Sequence, residues 1–180
     1  MDHTHDAERE ARLIASAQRG DTRAFNDLAA TLNDSLFTVA YRTVGRPDLA
    51  ADVVQEALLS AYHHIRSFRG GSFRAWLTRI AVNKAYDAMR TIQRRREDLI
   101  DDRGPDDDDA PSIPALVNDP SDTALAAELR HYLHLGLRQL PLEQRTAVVL
   151  FDVEGYSYEE IAFIAVVAAV SYTHLRAHET

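Results

Sequence analysis

Arg79, Asn83, Tyr86, Arg90 and Arg94 follow one another at steps of three and four residues, the spacing that gathers side chains on one face of an α-helix. Such a row offers guanidinium forks for phosphate oxygens, an amide able to read a base edge and a ring able to stack on one. That combination suits single-stranded or melted nucleic acid better than a plain row of charge does. Phe73, Leu77, Ile80 and Ala88 fall on the opposite side, as a core-facing stripe requires, with Trp76 at the border. A solvated outer face is the ordinary alternative for an isolated amphipathic helix, and these residues alone leave it open. Trp76 reads as core more readily than as a base platform.

The charge distribution adds to this. The net charge of −8 argues against nucleic acid, but its placement does not. Residues 66–96 hold nine basic side chains against Asp87 alone, and residues 97–109 hold eight acids against Arg103. Nineteen of the 20 basic residues are Arg, the type suited to phosphate forks and to stacking. Two solvated patches that keep the chain soluble are the alternative. A second surface lies upstream. Asp52, Gln55 and Glu56 form an acidic and amide patch fit for an Arg-rich protein partner, or else simply complement a helix dipole.

The elements that must hold these residues are all helical. Ala7 to Arg19 predicts a first helix, stopped at Gly20, and Asp21 can cap a second that runs to about Val44. Gly45-Arg46-Pro47-Asp48 predicts a turn and a helix start. The third helix carries Leu49, Val53, Val54, Ala57, Leu58, Ala61, Ile65 and Phe68, and Gly70-Gly71 ends it. Ser72 caps a fourth helix reaching roughly to Glu97. Residues 98–121 are acidic and Pro-rich, a linker without a core of its own. A second helical part follows: Ser121 to Gln139, a helix opened by Pro141 to about Val153, and one from Ser157. The expectation is an all-α chain with a four-helix domain over 1–97, an acidic flexible linker over 98–121 and a short helical domain over 122–180.

Several function classes fall away. The chain has no Cys, which removes disulfides, thiolate zinc sites and thiol nucleophiles. The N-terminus has no apolar signal-peptide core, and the apolar run Ile161 to Val170 is too short to span a bilayer. A soluble, cytoplasmic protein is expected, with no membrane partner. His131 with His134, and His174 with His178, have helical spacing but neither the Glu of a zinc-protease motif nor a third ligand. Asp106 to Asp109 lack the spaced oxygens and the Gly of a calcium loop. No nucleophile elbow, phosphate loop or dinucleotide fingerprint is present. The chain is expected to be non-enzymatic, without metal or cofactor.

Taken together, DLAADVVQEALLSAYHHIRSFRGGSFRAWLTRIAVNKAYDAMRTIQRRRE resembles region 2 of bacterial RNA polymerase sigma factors of the extracytoplasmic-function (ECF) group. Its marks are the acidic D-x-V-Q-E helix, the F-R-x-W-L-x-x-I-A-x-N helix and the Arg-rich end. RGDTRAFNDLAATLNDSLFTVAYRTVG resembles the opening helices of the same domain. LRQLPLEQRTAVVLFDVEGYSYEEIA is similar to the start of region 4, up to the first helix of its helix-turn-helix. The resemblance implies transcription initiation: binding to core RNA polymerase and direction of it to promoters. Asp52, Gln55 and Glu56 would dock on the clamp coiled coil of the polymerase's largest subunit. The loop Phe68 to Phe73, with Arg69, and the face of Arg79, Asn83, Tyr86 and Arg90 would hold the unpaired −10 strand of promoter DNA, joined by Arg74, Trp76 and Lys84. Gly70-Gly71 would permit the close backbone approach that a flipped base needs. Arg94, Arg95 and Arg96 would meet phosphates near the duplex edge. The acidic linker would thread toward the nucleic-acid channels of the polymerase. An anti-sigma factor, bound across both domains, is the further partner implied.

The family pattern is lost after about residue 162. The chain there reads FIAVVAAVSYTHLRAHET, with Val166 where a turn Gly would sit and only Arg176 as a fixed positive charge. A recognition helix needs more length and more basic chemistry. The expectation is an incomplete helix-turn-helix, from a truncation, frameshift or foreign junction near Phe163 or else a divergent ending with another role, and −35 reading by region 4 is left open. A helical interaction module that binds polymerase or an anti-sigma regulator without reading DNA is the alternative function.

Overall fold

The computed structural model describes residues 3–100, 132–133 and 135–165, the side chains of 3–4 and 96–100 excepted. Every regular element among them is helical. The expected linker from 101 onward, the start of the helix predicted from Ser121, the four histidines His131, His134, His174 and His178, and the tail with Val166 and Arg176 lie outside the described residues.

Helix α1 spans His3–Gln18, and Gly20 turns the chain at a positive φ of 100°. Asp21 then caps α2 (Thr22–Ala30): its carboxylate accepts from the backbone N–H groups of Arg23 at 3.0 Å and Ala24 at 3.2 Å. The Ser16 hydroxyl donates to the same carboxylate, and these hydrogen bonds hold its pKa below the usual carboxylate range. The single helix expected from Asp21 to Val44 is in fact two. The Leu32 backbone, at φ −109° and ψ −5°, breaks the ladder, and α3 starts afresh over Asn33–Val44. Neither Gly nor Pro marks that break in the sequence. Gly45 ends α3 in the left-handed region at φ 77°, its N–H donating to the Tyr41 carbonyl at 2.7 Å. Pro47, preceded by extended Arg46, opens α4 (Pro47–His64). A 3₁₀ turn, Ile65–Ser67, closes it. The fourth predicted helix is α5 (Phe73–Ile100), capped by the Ser72 hydroxyl accepting from the Ala75 N–H at 3.1 Å; it continues past the expected end at Glu97.

α5 packs on α3 and α4, and α1 on α2 and the 3₁₀ turn. The enclosed core holds Phe25, Leu28, Leu36, Val53, Ala57, Ile65, Phe73 and Leu77. Leu36 and Leu77 are fully buried, each contributing roughly 2–3 kcal/mol of apolar transfer.

Helical residues 135–139 (α6) lead to Pro141 and α7 (Leu142–Val148), which widens into a π turn over Val149–Val153. Gly155, at φ 67°, reverses the chain before α8, residues 158–165. A reciprocal capping box starts α8: Ser157 N–H donates to Glu160 Oε2 at 3.1 Å, and Glu160 N–H to Ser157 Oγ at 3.2 Å. These C-terminal helices do not stand apart. α7 and the π turn lie on α3, and Val149, Leu150, Tyr156 and Ile164 form a second buried cluster with Val39, Ala75, Val82 and Tyr86. One guanidinium braces the C-terminal helices and reaches α3 as well. Arg145 donates to the carbonyls of Thr43, Leu137 and Arg138 at 2.9 Å each and of Leu140 at 3.2 Å.

Candidate nucleic-acid interface

The loop before α5 is held open by its backbone and pinned from beneath. Gly70 and Gly71 have φ values of 103° and 88°, a conformation that L side chains rarely adopt, and nothing lies within 4 Å of a Cβ built on either. Gln18 Nε2 donates to the carbonyls of Ile65 at 3.2 Å and Phe68 at 2.9 Å, anchoring the loop to α1. Phe68, Phe73 and Trp76 pack ring on ring, with centroids 5.5–5.8 Å apart. Above them, α1 and the loop enclose an open groove of about 940 Å³, lined by Asp6, Glu10, Gln18, Arg66 and Arg69 among others. Arg69 is exposed at its rim, with Nη1 3.4 Å from the Arg66 carbonyl.

Along α5 the predicted row separates into three environments. At the start, Arg74 is half-buried: Cζ sits 4.1 Å from the centre of the Tyr156 ring, and Nη2 lies 3.3 Å from Glu154 Oε2. Arg79 places Cζ 4.6 Å over the Phe163 ring. In the middle, Trp76, Arg79, Asn83 and Lys84 line a shallow groove of about 390 Å³ with Ser60 and Asp87. Lys84 Nζ also reaches Glu56 Oε2 on α4 at 3.5 Å, an exposed pair worth little to stability. Toward the end, Arg90 pairs with Asp87 at 3.3 Å, and Arg94 and Arg95 are exposed; the Arg96 side chain lies outside the described ones.

Two predicted residues are buried instead. Phe73, 1% exposed, belongs to the main core. Tyr86, expected on the open face, is 5% exposed and packs in the second cluster, where burial pushes its phenol pKa up. The physical reason is that α5 has two packed sides. Phe73, Leu77, Ala81 and Ala85 face the core, and Ala75, Thr78, Val82 and Tyr86 face the C-terminal helices. The Thr78 and Tyr156 hydroxyls hydrogen-bond at 2.6 Å inside that contact, and burial raises the Tyr156 pKa in turn.

Against this geometry, residues 28–96 match the family model of sigma-70 region 2, and residues 130–164 that of sigma-70 region 4. The chain belongs to the ECF group of RNA polymerase sigma factors. It is 38% identical over 156 residues to the ECF RNA polymerase sigma-E factor of Haemophilus influenzae, covering 84% of this chain and 81% of that one. The sigma-E factor of Escherichia coli is 37% identical over 155 residues, covering 84% and 80%. The RNA polymerase sigma-H factor of Pseudomonas aeruginosa is 36% identical over 160 residues, covering 87% and 82%. Among solved structures, CnrH in complex with the cytosolic domain of CnrY matches with a TM-score of 0.61 at 28% identity, over 94% of this chain and 92% of that one. The sigma factor RpoE in complex with the anti-sigma factor NepR from Bartonella quintana matches with a TM-score of 0.65 at 25% identity, over 87% and 92%.

In this sigma factor Asp52, Gln55 and Glu56 are all exposed on α4. Leu59, one turn further, is 62% exposed and extends the same surface; the sequence reading missed it, though its place off the core stripe of Val53, Ala57 and Ala61 was a usable signal. Glu154, Tyr156 and Phe163 were likewise not anticipated as neighbours of the Arg row, because they lie about 80 residues away in sequence. No helix among the described residues is long and apolar enough to cross a membrane, and no cluster of metal-ligating side chains occurs among them.

Proposed function

We propose that this chain is a non-enzymatic, cytoplasmic transcription initiation factor that binds core RNA polymerase and directs it to promoters. In this reading α4 and α5 divide the work. Asp52, Gln55 and Glu56, with Leu59, present an exposed acidic and apolar surface to the polymerase clamp. Arg69, Trp76, Arg79, Asn83, Lys84 and Arg90, with Arg94, Arg95 and Arg96 beyond them, hold the melted −10 strand by phosphate contacts and stacking. Arg74 joins them once it is free of Glu154. Phe73 and Tyr86 act from beneath, Phe73 by fixing the loop and Tyr86 by packing. The observation that carries the reading is the Arg-rich face of α5 beside the Gly70-Gly71 loop, in a chain of this family. An anti-sigma factor is the expected regulator, as in the complex of RpoE with the anti-sigma factor NepR.

The test is a gel shift of core bacterial RNA polymerase with this chain on a pre-melted promoter fork carrying a −10 element. A shift that needs both components and weakens steeply with salt supports the reading. A folded chain that binds polymerase but gives no fork shift is an interaction module instead.

A further inference from the structure

We infer that His64, at the end of α4, is a pH-sensitive contact for the promoter strand, gripping a phosphate when its ring is protonated and releasing it when the ring is neutral. This rests on the proposed role of α5 in holding the −10 strand. The groove of about 390 Å³ along that face has a second wall. Trp76, Arg79, Asn83 and Lys84 come from α5, while Ser60 and His64 come from α4 and Ser67 from the 3₁₀ turn. His64 is exposed, so a strand seated in this groove lies against an imidazole as well as against the Arg79 guanidinium.

The hydrogen bond that His64 already makes fixes what its ring can do. Nδ1 lies 2.7 Å from the Ser60 carbonyl oxygen. A carbonyl only accepts, so Nδ1 carries a proton whether the ring is neutral or charged. The proton that comes and goes is therefore the one on Nε2, which has no protein partner among the described residues. In the neutral ring Nε2 is a lone pair, which a phosphate oxygen repels. In the charged ring it is an N–H donor, able to give phosphate a charge-assisted hydrogen bond. The charged groups around it are Arg79, Lys84 and Asp87 on α5, with Arg66 on the 3₁₀ turn and His63 next in the chain. Asp87 is drawn to Arg90 at 3.3 Å, and no carboxylate among the described residues pairs with the His64 ring. A strand phosphate supplies the anion that the charged ring lacks, so protonation and strand binding favour each other.

The experiment uses core polymerase with the full chain on a rhodamine-labelled, pre-melted −10 fork. Anisotropy titrations run from about pH 5.5 to about pH 8, the range in which imidazole titrates. The wild type should bind roughly three- to tenfold more tightly at the acid end. Its slope of log affinity against log salt should steepen there by roughly 0.7, the value for one phosphate on a single strand. His64→Gln should hold the weaker affinity and His64→Arg the tighter one, each with a flatter pH profile than the wild type. The polymerase adds the same background to every variant, so the differences carry the result. His63→Gln, at the neighbouring exposed position, should keep the wild-type profile.

Should a variant lose its fold, NMR of the wild-type imidazole signals decides the matter. With saturating single-stranded DNA of about twelve nucleotides, the His64 titration should move to higher pH than in the free chain. An unmoved or lowered midpoint overturns the inference. So does a wild-type salt slope that is equal at both ends of the pH range, or a folded His64→Gln holoenzyme with the wild-type pH profile. Those results leave the proposed function standing if the wild-type holoenzyme still shifts the melted fork. A holoenzyme that binds no fork at any of these pH values overturns both.

Discussion

Replacing Arg145 by Ala should loosen the C-terminal helices, chiefly within themselves and by one bond against the N-terminal body. The guanidinium donates to four carbonyls, three of them in partly buried surroundings, and one of those three, that of Thr43, is in the last turn of α3. The last carbonyls of a helix have no partner within it, so Arg145 satisfies an orphan group and complements the negative end of the α3 dipole. Burial lowers the Arg145 pKa, with Arg138 nearby acting in the same direction, yet an arginine remains charged at neutral pH. Each hydrogen bond from a charged donor contributes about 1 kcal/mol after water has replaced part of it, and the exposed Arg138 carbonyl contributes least. The loss on Arg145→Ala is therefore about 2–3 kcal/mol. Arg145→Lys keeps the charge but not the fork and should lose about 1–1.5 kcal/mol. Native-state amide exchange reads the effect directly. Amides of α7 and the π turn should exchange roughly 30- to 160-fold faster in the Ala variant, while those of α2 and α4 stay near their wild-type rates. Equal acceleration in both parts, or none in α7, would refute the claim that Arg145 holds α7 and the π turn in place.

Other outcomes follow from the same geometry. Arg79→Ala with Arg90→Ala should weaken fork binding by about tenfold or more and leave association with core polymerase intact, read by gel shift and pull-down side by side; equal loss of both contradicts the face assignment. Asp52→Arg with Glu56→Arg should do the reverse, and retained polymerase binding rejects α4 as the docking surface. Leu77→Ala opens a cavity in a fully buried site and should lower unfolding free energy by about 2–5 kcal/mol in urea, followed by the fluorescence of Trp76, the sole tryptophan of the sequence. Glu160 is the pH-sensitive member of the contact. Its pKa is held below the ordinary 4.5, first by the Ser157 backbone N–H, with Ser72, the Ser157 hydroxyl and Arg74 adding to it. A depressed folded pKa gives stability that is present above the unfolded value and lost as pH falls through the folded one. The stability gap between the wild type and Glu160→Gln should be present at neutral pH and shrink as pH falls below the ordinary glutamate range; a gap that grows on acidification contradicts the sign.

How far the sequence carried depends on which contacts are local. The α4 core stripe is repeated at helical spacing, and all of its predicted members are buried or half-buried. The starts of α2, α4 and α5 each carry a capping residue or a proline in the right place, so they were legible. The break between α2 and α3 was not. Thr31 and Leu32 both keep right-handed helical dihedrals, and the Thr31 hydroxyl merely donates back to the Leu28 carbonyl at 2.8 Å. No residue type announces such a kink, because the Leu32 dihedrals stay in the broad right-handed region open to any residue while departing far enough from helical values to lose the i to i−4 bond.

The placement of Tyr86 failed for a more instructive reason. A helical wheel assigns one buried face, and α5 has two, about a third of a turn apart. Ala75, Thr78, Val82 and Tyr86 recur at i, i+3, i+7 and i+11, a second stripe built of small residues and one phenol. Small side chains carry little apolar weight, so the stripe is almost invisible to hydropathy. They nonetheless let a neighbouring backbone approach closely, which larger ones would prevent. The polar residues flanking that stripe, Arg74 and Arg79, then lay their guanidinium planes on rings of the covering helices. An arginine row that reads as open to solvent is equally suited to being covered, since the planar, weakly hydrated head that stacks on a base stacks as well on a Tyr or Phe. The sequence therefore reports what α5 can bind, and only the tertiary contacts from 80 residues further on report what occupies it.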